Sequence, residues 1–242
     1  MSLGSIRAVL FDAGSTLLEV KPSVGSVYSQ VAEQYGVMAP PTALEEAFRA
    51  EWRRRTDPAV DDAPFGDSDE TQRQWWRSLV EATFAPAGGP DAFAGHFSDY
   101  FEELYELFAQ PKAWEVYDDV APALEVLRRR GFRLGVVSNW DNRLPRLMRG
   151  LKLDRYFEFI LTSAEAGCKK PFPGIFEQAV ARLGVMAREA VYVGDSVDHD
   201  VVGARGAGLV PVQIARKCGK TAQQQGGHAV IHSLRDLPGM LG

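Results

Sequence analysis

The amino-acid sequence predicts an α/β protein, a parallel sheet covered by helices and carrying an inserted helical subdomain. After residue 111, short apolar segments alternate with helical segments, a pattern typical of a parallel sheet with both faces covered. A further apolar segment, IRAVLF at 6–11, stands apart from the others. About 90 residues of helical periodicity separate it from them, so we expect this stretch to be an insertion.

Local sequence patterns indicate the individual strands and helices. The segment 6–11 is nearly continuous in apolar residues, as in a buried parallel strand, and a polar turn follows it. In the insertion, apolar residues recur every three or four positions, and Thr42 with Glu45 resembles a capping box. Beyond Pro111, glycines at 131, 184 and 208 are expected to end helices. Further strands are predicted at 134–137, 159–163, 191–193 and 211–215.

Composition restricts the class of protein. The chain has 242 residues, is 45% hydrophobic and 24% charged, and has a formal charge of −5, as in an ordinary globular protein. No basic footprint for nucleic acid is present, and no apolar run approaches the roughly 18 residues that span a bilayer. Two cysteines, Cys168 and Cys218, are too few for a disulfide framework. We therefore expect a cytoplasmic protein without nucleic-acid or membrane partners, and the oligomeric state stays open.

Four polar segments follow predicted strands. They are Asp12–Thr16, Ser138–Asp141, the stretch around Lys170, and Asp195–Asp200. Each has an ordinary structural explanation taken alone, such as a helix cap, a turn or an exposed loop lysine. In parallel sheets, however, the carboxyl ends of the strands meet at one edge, where ligands bind. We therefore predict that the four segments form one site.

The residue types at this edge fit phosphoryl transfer. The Asp12 carboxylate can attack phosphorus, and together with Asp195 it offers the oxygen ligands that Mg²⁺ requires. Ser138 and backbone amides can hold phosphoryl oxygens, while Lys170 can balance the negative charge. Phosphoryl transfer depends mostly on positioning and electrostatic stabilisation, which such a set supplies.

The same segments resemble the four motifs of the haloacid dehalogenase-like hydrolase superfamily. The motifs are FDAGSTLL, VVSNWD, CKKPFPGIF and VYVGDSVDHDVVGARGAG, in the family's order. The resemblance covers roughly residues 5–20 and 111–215. It implies a Rossmann-like core formed by 1–20 and 111–242, with residues 21–110 as a helical cap. SNWD, with a first motif that lacks its second Asp, is most similar to the subgroup called haloacid dehalogenase-like hydrolase domain-containing protein 3.

The resemblance also implies a nucleophile and a metal site. Asp12 matches the family's nucleophile and metal ligand, and Asp195 its acidic metal ligand. The backbone carbonyl of Gly14 matches a third ligand for Mg²⁺. Asp200 matches the second acidic position of motif four, where it would hold Lys170 or a metal-bound water.

Three residues match substrate-binding positions. Ser138 corresponds to the family's phosphate-binding serine, with Asn139 beside it, and Lys170 to its motif-three lysine. Lys169 competes for that last role, but the KPFP text aligns Lys170. The resemblance implies a small phosphorylated molecule as the substrate.

One departure bears directly on activity. Family phosphatases carry a second Asp in motif one as general acid and base, and here that position is Gly14. Such a group is typically worth 10²–10⁴ in rate. A Mg²⁺-dependent phosphatase of restricted activity, a binding or regulatory protein on an enzyme scaffold, and a dehalogenase acting without metal all stay open. Ser15 also stands where the family usually has glycine.

Overall fold

The computed structural model describes residues 6–57, 69–216 and 227–241 and contains a six-stranded parallel sheet. The strands of the chain are β1 (Ala8–Phe11), β2 (Leu18–Val20), β3 (Trp114–Val116), β4 (Arg133–Ser138), β5 (Phe159–Thr162), β6 (Ala190–Gly194), β7 (Val210–Ile214) and β8 (Ala229–Ile231). The large sheet has the order β5, β4, β1, β6, β7, β8, and β2 pairs with β3 separately. The predicted α/β fold is confirmed. Strand β8 was not predicted, because three residues are too few to show a period.

The first strand occupies the centre of the sheet and sets the register of its neighbours. Phe11 of β1 lies opposite Val136 of β4 on one side and Val193 of β6 on the other. The strand order therefore reverses at β1, and the segments after β1, β4 and β6 emerge at the same edge. In open α/β sheets this reversal point is where ligands bind.

Helices cover the large sheet. They are α5 (Val120–Arg129), α6 (Leu144–Gly150), α7 (Ser163–Ala166), α8 (Pro173–Arg182), α9 (Val202–Gly206) and α10 (Leu237–Leu241). Every residue of β1 and β6 is buried, as expected for strands packed on both faces. Gly131, Gly184 and Gly208 follow α5, α8 and α9 with φ of 84°, 57° and 80°, a left-handed conformation that carries no Cβ penalty in glycine.

The chain divides into two compact units. One contains residues up to Glu19 and from Val116 onward, and the other is Val20–Glu115. The second unit contains α1 (Val24–Gln34), α2 (Pro41–Thr56), α3 (Asp69–Phe84) and α4 (Phe97–Leu107). Its core is rich in aromatic side chains, with Tyr28, Phe84 and Tyr100 packed in one cluster. The role of this unit as a cap stays a prediction.

The start of α2 differs from the sequence-based expectation. The helix begins at Pro41, and Pro40 at the N-cap makes no side-chain hydrogen bond. The Glu45 carboxylate instead accepts a hydrogen bond from the Gly25 backbone N–H, 2.8 Å away. The predicted capping box of Thr42 and Glu45 is therefore wrong. The helix begins with a proline, whose missing N–H needs no partner in the first turn, and the Glu45 carboxylate binds the Gly25 N–H of α1.

No helix within the described ranges is long and apolar enough to cross a bilayer.

Candidate active site

Asp12 is the first residue after the central strand β1. Its backbone N–H donates to the Val193 carbonyl, 2.9 Å away, which continues the β1–β6 pairing by one residue. The Asp12 side chain is 10% exposed, and its Oδ1 accepts a hydrogen bond from Ser138 Oγ at 2.8 Å. Both side-chain hydrogen bonds of Asp12 within the described chain, from Ser138 and Lys170, involve Oδ1. Asp12 Oδ2 thus accepts no hydrogen bond from these residues.

Lys170 lies buried beside Asp12 and connects three groups. Its Nζ donates to Asp12 Oδ1 at 2.8 Å, to Asp200 Oδ1 at 2.6 Å and to Tyr192 Oη at 2.8 Å. An ammonium group has three N–H donors, so all of them have an acceptor here. Lys170 is thus the lysine that binds the Asp12 and Asp200 carboxylates.

The Asn139 side chain binds the backbone of Lys170 from both sides. Asn139 Nδ2 donates to the Lys170 carbonyl at 2.9 Å, and Asn139 Oδ1 accepts from the Lys170 N–H at 2.7 Å. The residue after Ser138 thereby fixes the loop that carries the lysine. The sequence predicts a substrate contact for Asn139, whereas in the structure its side-chain amide binds the Lys170 backbone.

Asp200 returns from the segment after β6 to lie against the end of that strand. Its Oδ1 accepts from Lys170, and its Oδ2 accepts from the Ser196 N–H at 2.9 Å. A Cβ on Gly194 would overlap the Asp200 carboxylate, so only glycine permits this close approach. A π-helical turn over Val197–Val201, which Ser196 caps through the His199 N–H, brings Asp200 back to the strand.

Asp195 completes a group of three carboxylates at the strand ends. Asp12, Asp195 and Asp200 each place one oxygen within 4.8 Å of the others, and Asp195 is exposed to solvent. With all three carboxylates ionised, and with one ammonium, the group has a formal charge of −2. Burial and mutual repulsion both destabilise the ionised carboxylates, so a cation bound between them would be favourable.

This surplus of negative charge shifts the pKa values of the side chains in the cluster. Burial and the Asp200 carboxylate raise the pKa of Asp12, although Lys170 opposes the rise. Burial lowers the pKa of Lys170, but Asp12 and Asp200 outweigh it and hold the ammonium above its ordinary pKa. Desolvation, Asp12 and Asp200 raise the pKa of Asp195 to about 7. Asp195 is exposed, so burial explains little of this rise in its pKa. The repulsion from the Asp12 and Asp200 carboxylates agrees with the distances in the cluster.

The loop after Asp12 contains both departures from the family's motif. Gly14 is half-buried, and a Cβ at this position would meet Trp140 Cζ3 at 3.6 Å, an ordinary contact distance. Ser15 has a φ of 55°, in the left-handed region that glycine tolerates best. The loop conformation explains why glycine suits position 15, and it leaves room for a side chain at position 14.

Sequence reasoning missed Tyr192. It lies within the strand β6 and is fully buried, so its position resembles that of a core residue. Its hydroxyl contacts Lys170 and donates to the Val137 carbonyl at 2.8 Å. The one available signal is a hydroxyl in an otherwise apolar strand, since a buried hydroxyl requires a partner.

The fold and these four strand-end segments define a haloacid dehalogenase-like hydrolase. The family model described as haloacid dehalogenase-like hydrolase matches residues 6–208, and the chain belongs to this family.

Among its relatives is the mouse (Mus musculus) haloacid dehalogenase-like hydrolase domain-containing protein 3, which is 37% identical over 84% of this chain and 80% of its own length. The resemblance to this subgroup is confirmed. A solved structure titled as a HAD phosphatase from Thermococcus onnurineus is 29% identical, covers 98% of both chains and has a TM-score of 0.68. A 2-haloacid dehalogenase structure from Pseudomonas syringae pv. Tomato is 27% identical over 98% of both chains, with a TM-score of 0.62.

Proposed function

We propose that this hydrolase is a Mg²⁺-dependent phosphatase that forms an aspartyl phosphate on Asp12 and acts on small phosphorylated molecules. The environment of the Asp12 carboxylate is the main support for this function. A buried carboxylate at the end of the central strand has one oxygen held by Ser138 and Lys170, and no described residue donates to its other oxygen. This is the arrangement that an oriented nucleophile needs.

The carboxylates fit a hard divalent cation. Asp12 and Asp195, with the Gly14 carbonyl, would hold Mg²⁺, which prefers oxygen ligands. The surplus negative charge of the cluster and the raised pKa values of Asp12 and Asp195 support a cation at this position. Bound Mg²⁺ would neutralise charge on the phosphoryl group and on the attacking carboxylate. Both oxygens of Asp200 already accept protein N–H donors, so Asp200 would position Lys170.

The remaining residues would orient and stabilise the reaction. Asp12 Oδ2 would attack phosphorus while the bond from phosphorus to the leaving oxygen breaks, and the leaving group departs with that electron pair. Water would then displace Asp12 from phosphorus, which yields inorganic phosphate and the free carboxylate. In both steps the positive charge of Lys170 would stabilise the phosphoryl group, and Ser138 would turn its hydroxyl from Asp12 to a phosphoryl oxygen. Asn139 would act through the Lys170 backbone that it holds.

Gly14 restricts the substrate. No carboxyl group at this position can protonate the leaving oxygen, so departure must depend on the leaving group's own acidity. We therefore expect acyl and aryl phosphates to be turned over faster than alkyl phosphates.

The test combines kinetics with metal binding. Mg²⁺-dependent hydrolysis should become faster as the pKa of the leaving group falls across a series of aryl phosphates, and Asp12→Asn should abolish it. Asp195→Asn should weaken Mg²⁺ binding measured by calorimetry. Asp198→Asn is the matched control, because this exposed carboxylate lies outside the cluster. A wild-type protein that neither binds Mg²⁺ nor hydrolyses acetyl phosphate would overturn the proposal.

The missing general acid also favours a second candidate, a binding or regulatory protein on the enzyme scaffold. That function predicts retention of a phosphorylated ligand without turnover, even with activated substrates. Halide release from a 2-haloacid in the presence of EDTA would instead indicate dehalogenation.

A further inference from the structure

Arg216, the residue two positions after β7, reaches back to the loop that follows Asp12. Its Nε and Nη2 donate to the Thr16 carbonyl at 2.9 and 2.6 Å. The Arg216 side chain is 9% exposed, and its guanidinium lies 3.8 Å from the centre of the Tyr117 ring. The two residues in this carbonyl contact are 200 positions apart in the chain.

The Asp119 carboxylate holds the Arg216 guanidinium in place. Arg216 Nη1 donates to Asp119 Oδ2 at 3.1 Å, and Nη2 lies 3.1 Å from Asp119 Oδ1. Asp119 Oδ2 also accepts from Ser233 Oγ and from the Leu234 N–H, each at 2.8 Å. Because a planar guanidinium presents its donors in a fixed fork, an anchored carboxylate orients the donors that face Thr16.

The loop itself turns tightly between Asp12 and Thr16. The Ala13 carbonyl accepts from the N–H groups of Leu17 and Leu18 at 2.8 and 3.1 Å, and the Ser15 N–H donates to the Leu18 carbonyl at 2.8 Å. Within the described chain, both donors to the Thr16 carbonyl come from Arg216. The peptide units of Gly14 and Ser15 lie between the nucleophile and this contact.

We infer that Arg216 is a positioning residue for the active-site loop: through Thr16 it fixes the direction of the Gly14 carbonyl and the placement of Asp12. This inference rests on the proposed function, in which both groups bind Mg²⁺. A merely structural arginine would stabilise the fold without changing the metal site. The two roles therefore differ in what they predict for Mg²⁺ affinity and for the order of the loop.

The chain offers a matched control in Arg133. Arg133 pairs with Glu158 and also donates to the Leu183 carbonyl, so it too joins a carboxylate and a backbone oxygen. It lies at the start of β4, whereas Ser138 and the site lie at the end of that strand. Removal of either arginine thus deletes a carboxylate contact and a hydrogen bond to a backbone carbonyl, at opposite ends of the parallel strands, with Arg133 the more exposed of the two at 40% against 9%.

The experiment measures Mg²⁺ binding by calorimetry and amide hydrogen exchange of Ser15, Leu17 and Leu18 in the metal-free protein. Arg216→Ala and Arg216→Lys should raise the Mg²⁺ dissociation constant by roughly 10- to 100-fold, the usual effect of losing a group that orients metal ligands. The loop amides should exchange faster in both variants, and added guanidinium should partly restore Mg²⁺ affinity to Arg216→Ala. Arg133→Ala should change neither quantity beyond about twofold.

The outcomes separate the two proposals. If Arg216→Ala does not fold, Arg216→Lys and Asp119→Asn provide the same comparison. Unchanged loop exchange in these variants would overturn the inference, and so would equal losses of Mg²⁺ affinity in the Arg216 and Arg133 variants. A wild-type protein that binds no Mg²⁺ would overturn the proposed function, while the hydrogen-exchange comparison would still decide the role of Arg216.

Discussion

The Tyr192 hydroxyl lies 2.8 Å from Lys170 Nζ and connects this ammonium group to the backbone of β4, which β1 separates from the strand of Tyr192. It accepts from the lysine and donates to the Val137 carbonyl of β4, so both sides of the hydroxyl are engaged. With Asp12 and Asp200, Tyr192 gives the lysine a full set of acceptors. The position of the ammonium is therefore set from three directions.

Tyr192→Phe should lower both stability and turnover. Loss of the hydroxyl leaves one N–H of a buried ammonium without an acceptor, which we expect to cost about 1–3 kcal/mol in the free energy of unfolding. Urea unfolding and kcat for an aryl phosphate check this expectation. Tyr156→Phe is the control, because this buried tyrosine binds Arg155 and Glu125 and makes no contact with Lys170. Equal behaviour of the two variants would contradict the role of Tyr192.

Gly14→Asp should raise turnover of alkyl phosphates. A Cβ at position 14 meets Trp140 Cζ3 at 3.6 Å, an ordinary contact distance, and the new carboxyl group supplies the acid that the leaving oxygen lacks. We expect a gain of at least about tenfold in kcat, since such groups typically contribute 10²–10⁴. Activated aryl phosphates should gain less, because their leaving groups need little protonation.

Gly14→Asn is the control for this substitution. Asparagine has nearly the same shape as aspartate but no carboxyl proton, so it should leave alkyl phosphate turnover unchanged. A folded Gly14→Asp variant without any gain would count against the missing acid as the cause of restricted activity.

Ser15→Gly should be more stable than Ser15→Ala by about 1 kcal/mol. Position 15 has a φ of 55°, and a Cβ in the left-handed region costs roughly 1–2 kcal/mol that glycine avoids. Denaturant unfolding of the two variants measures the difference. Equal stabilities would show that the loop leaves the left-handed conformation when serine is removed.

Asp119 should contribute stability that depends on pH. Burial alone would raise its pKa, but hydrogen bonds from Arg216, Ser233 and the Leu234 N–H outweigh burial and hold the pKa below its ordinary value of 3.8. A group with a lowered pKa in the folded state stabilises the fold above the unfolded pKa, and this contribution is lost as pH falls through the folded pKa. The difference in unfolding free energy between wild type and Asp119→Asn should therefore be constant at neutral pH and shrink below about pH 4. A difference that grows in acid would contradict this sign.

Local patterns in the chain predict the α/β class and the edge of the sheet where the polar segments meet. Strand periods and glycine stops are local signals, and parallel strands necessarily bring their carboxyl ends together. The convergence of Asp12, Ser138, Lys170 and Asp200 therefore follows from position along the chain. The capping box at Thr42 was wrong because the Glu45 carboxylate accepts from the Gly25 N–H of another helix, a contact that no local pattern indicates.

The side chains that hold these segments in place could be found only from the fold. The Asn139 side-chain amide binds the Lys170 backbone, and the hydroxyl of Tyr192, a residue of the core, binds the side chain of the same lysine. Arg216 binds the Thr16 carbonyl, 200 residues away in the chain. Such contacts depend on the direction of single side chains between distant segments, and they leave no periodicity in the chain. The residues that meet at this edge of the sheet could thus be predicted from the sequence, whereas the contacts that orient them required the fold.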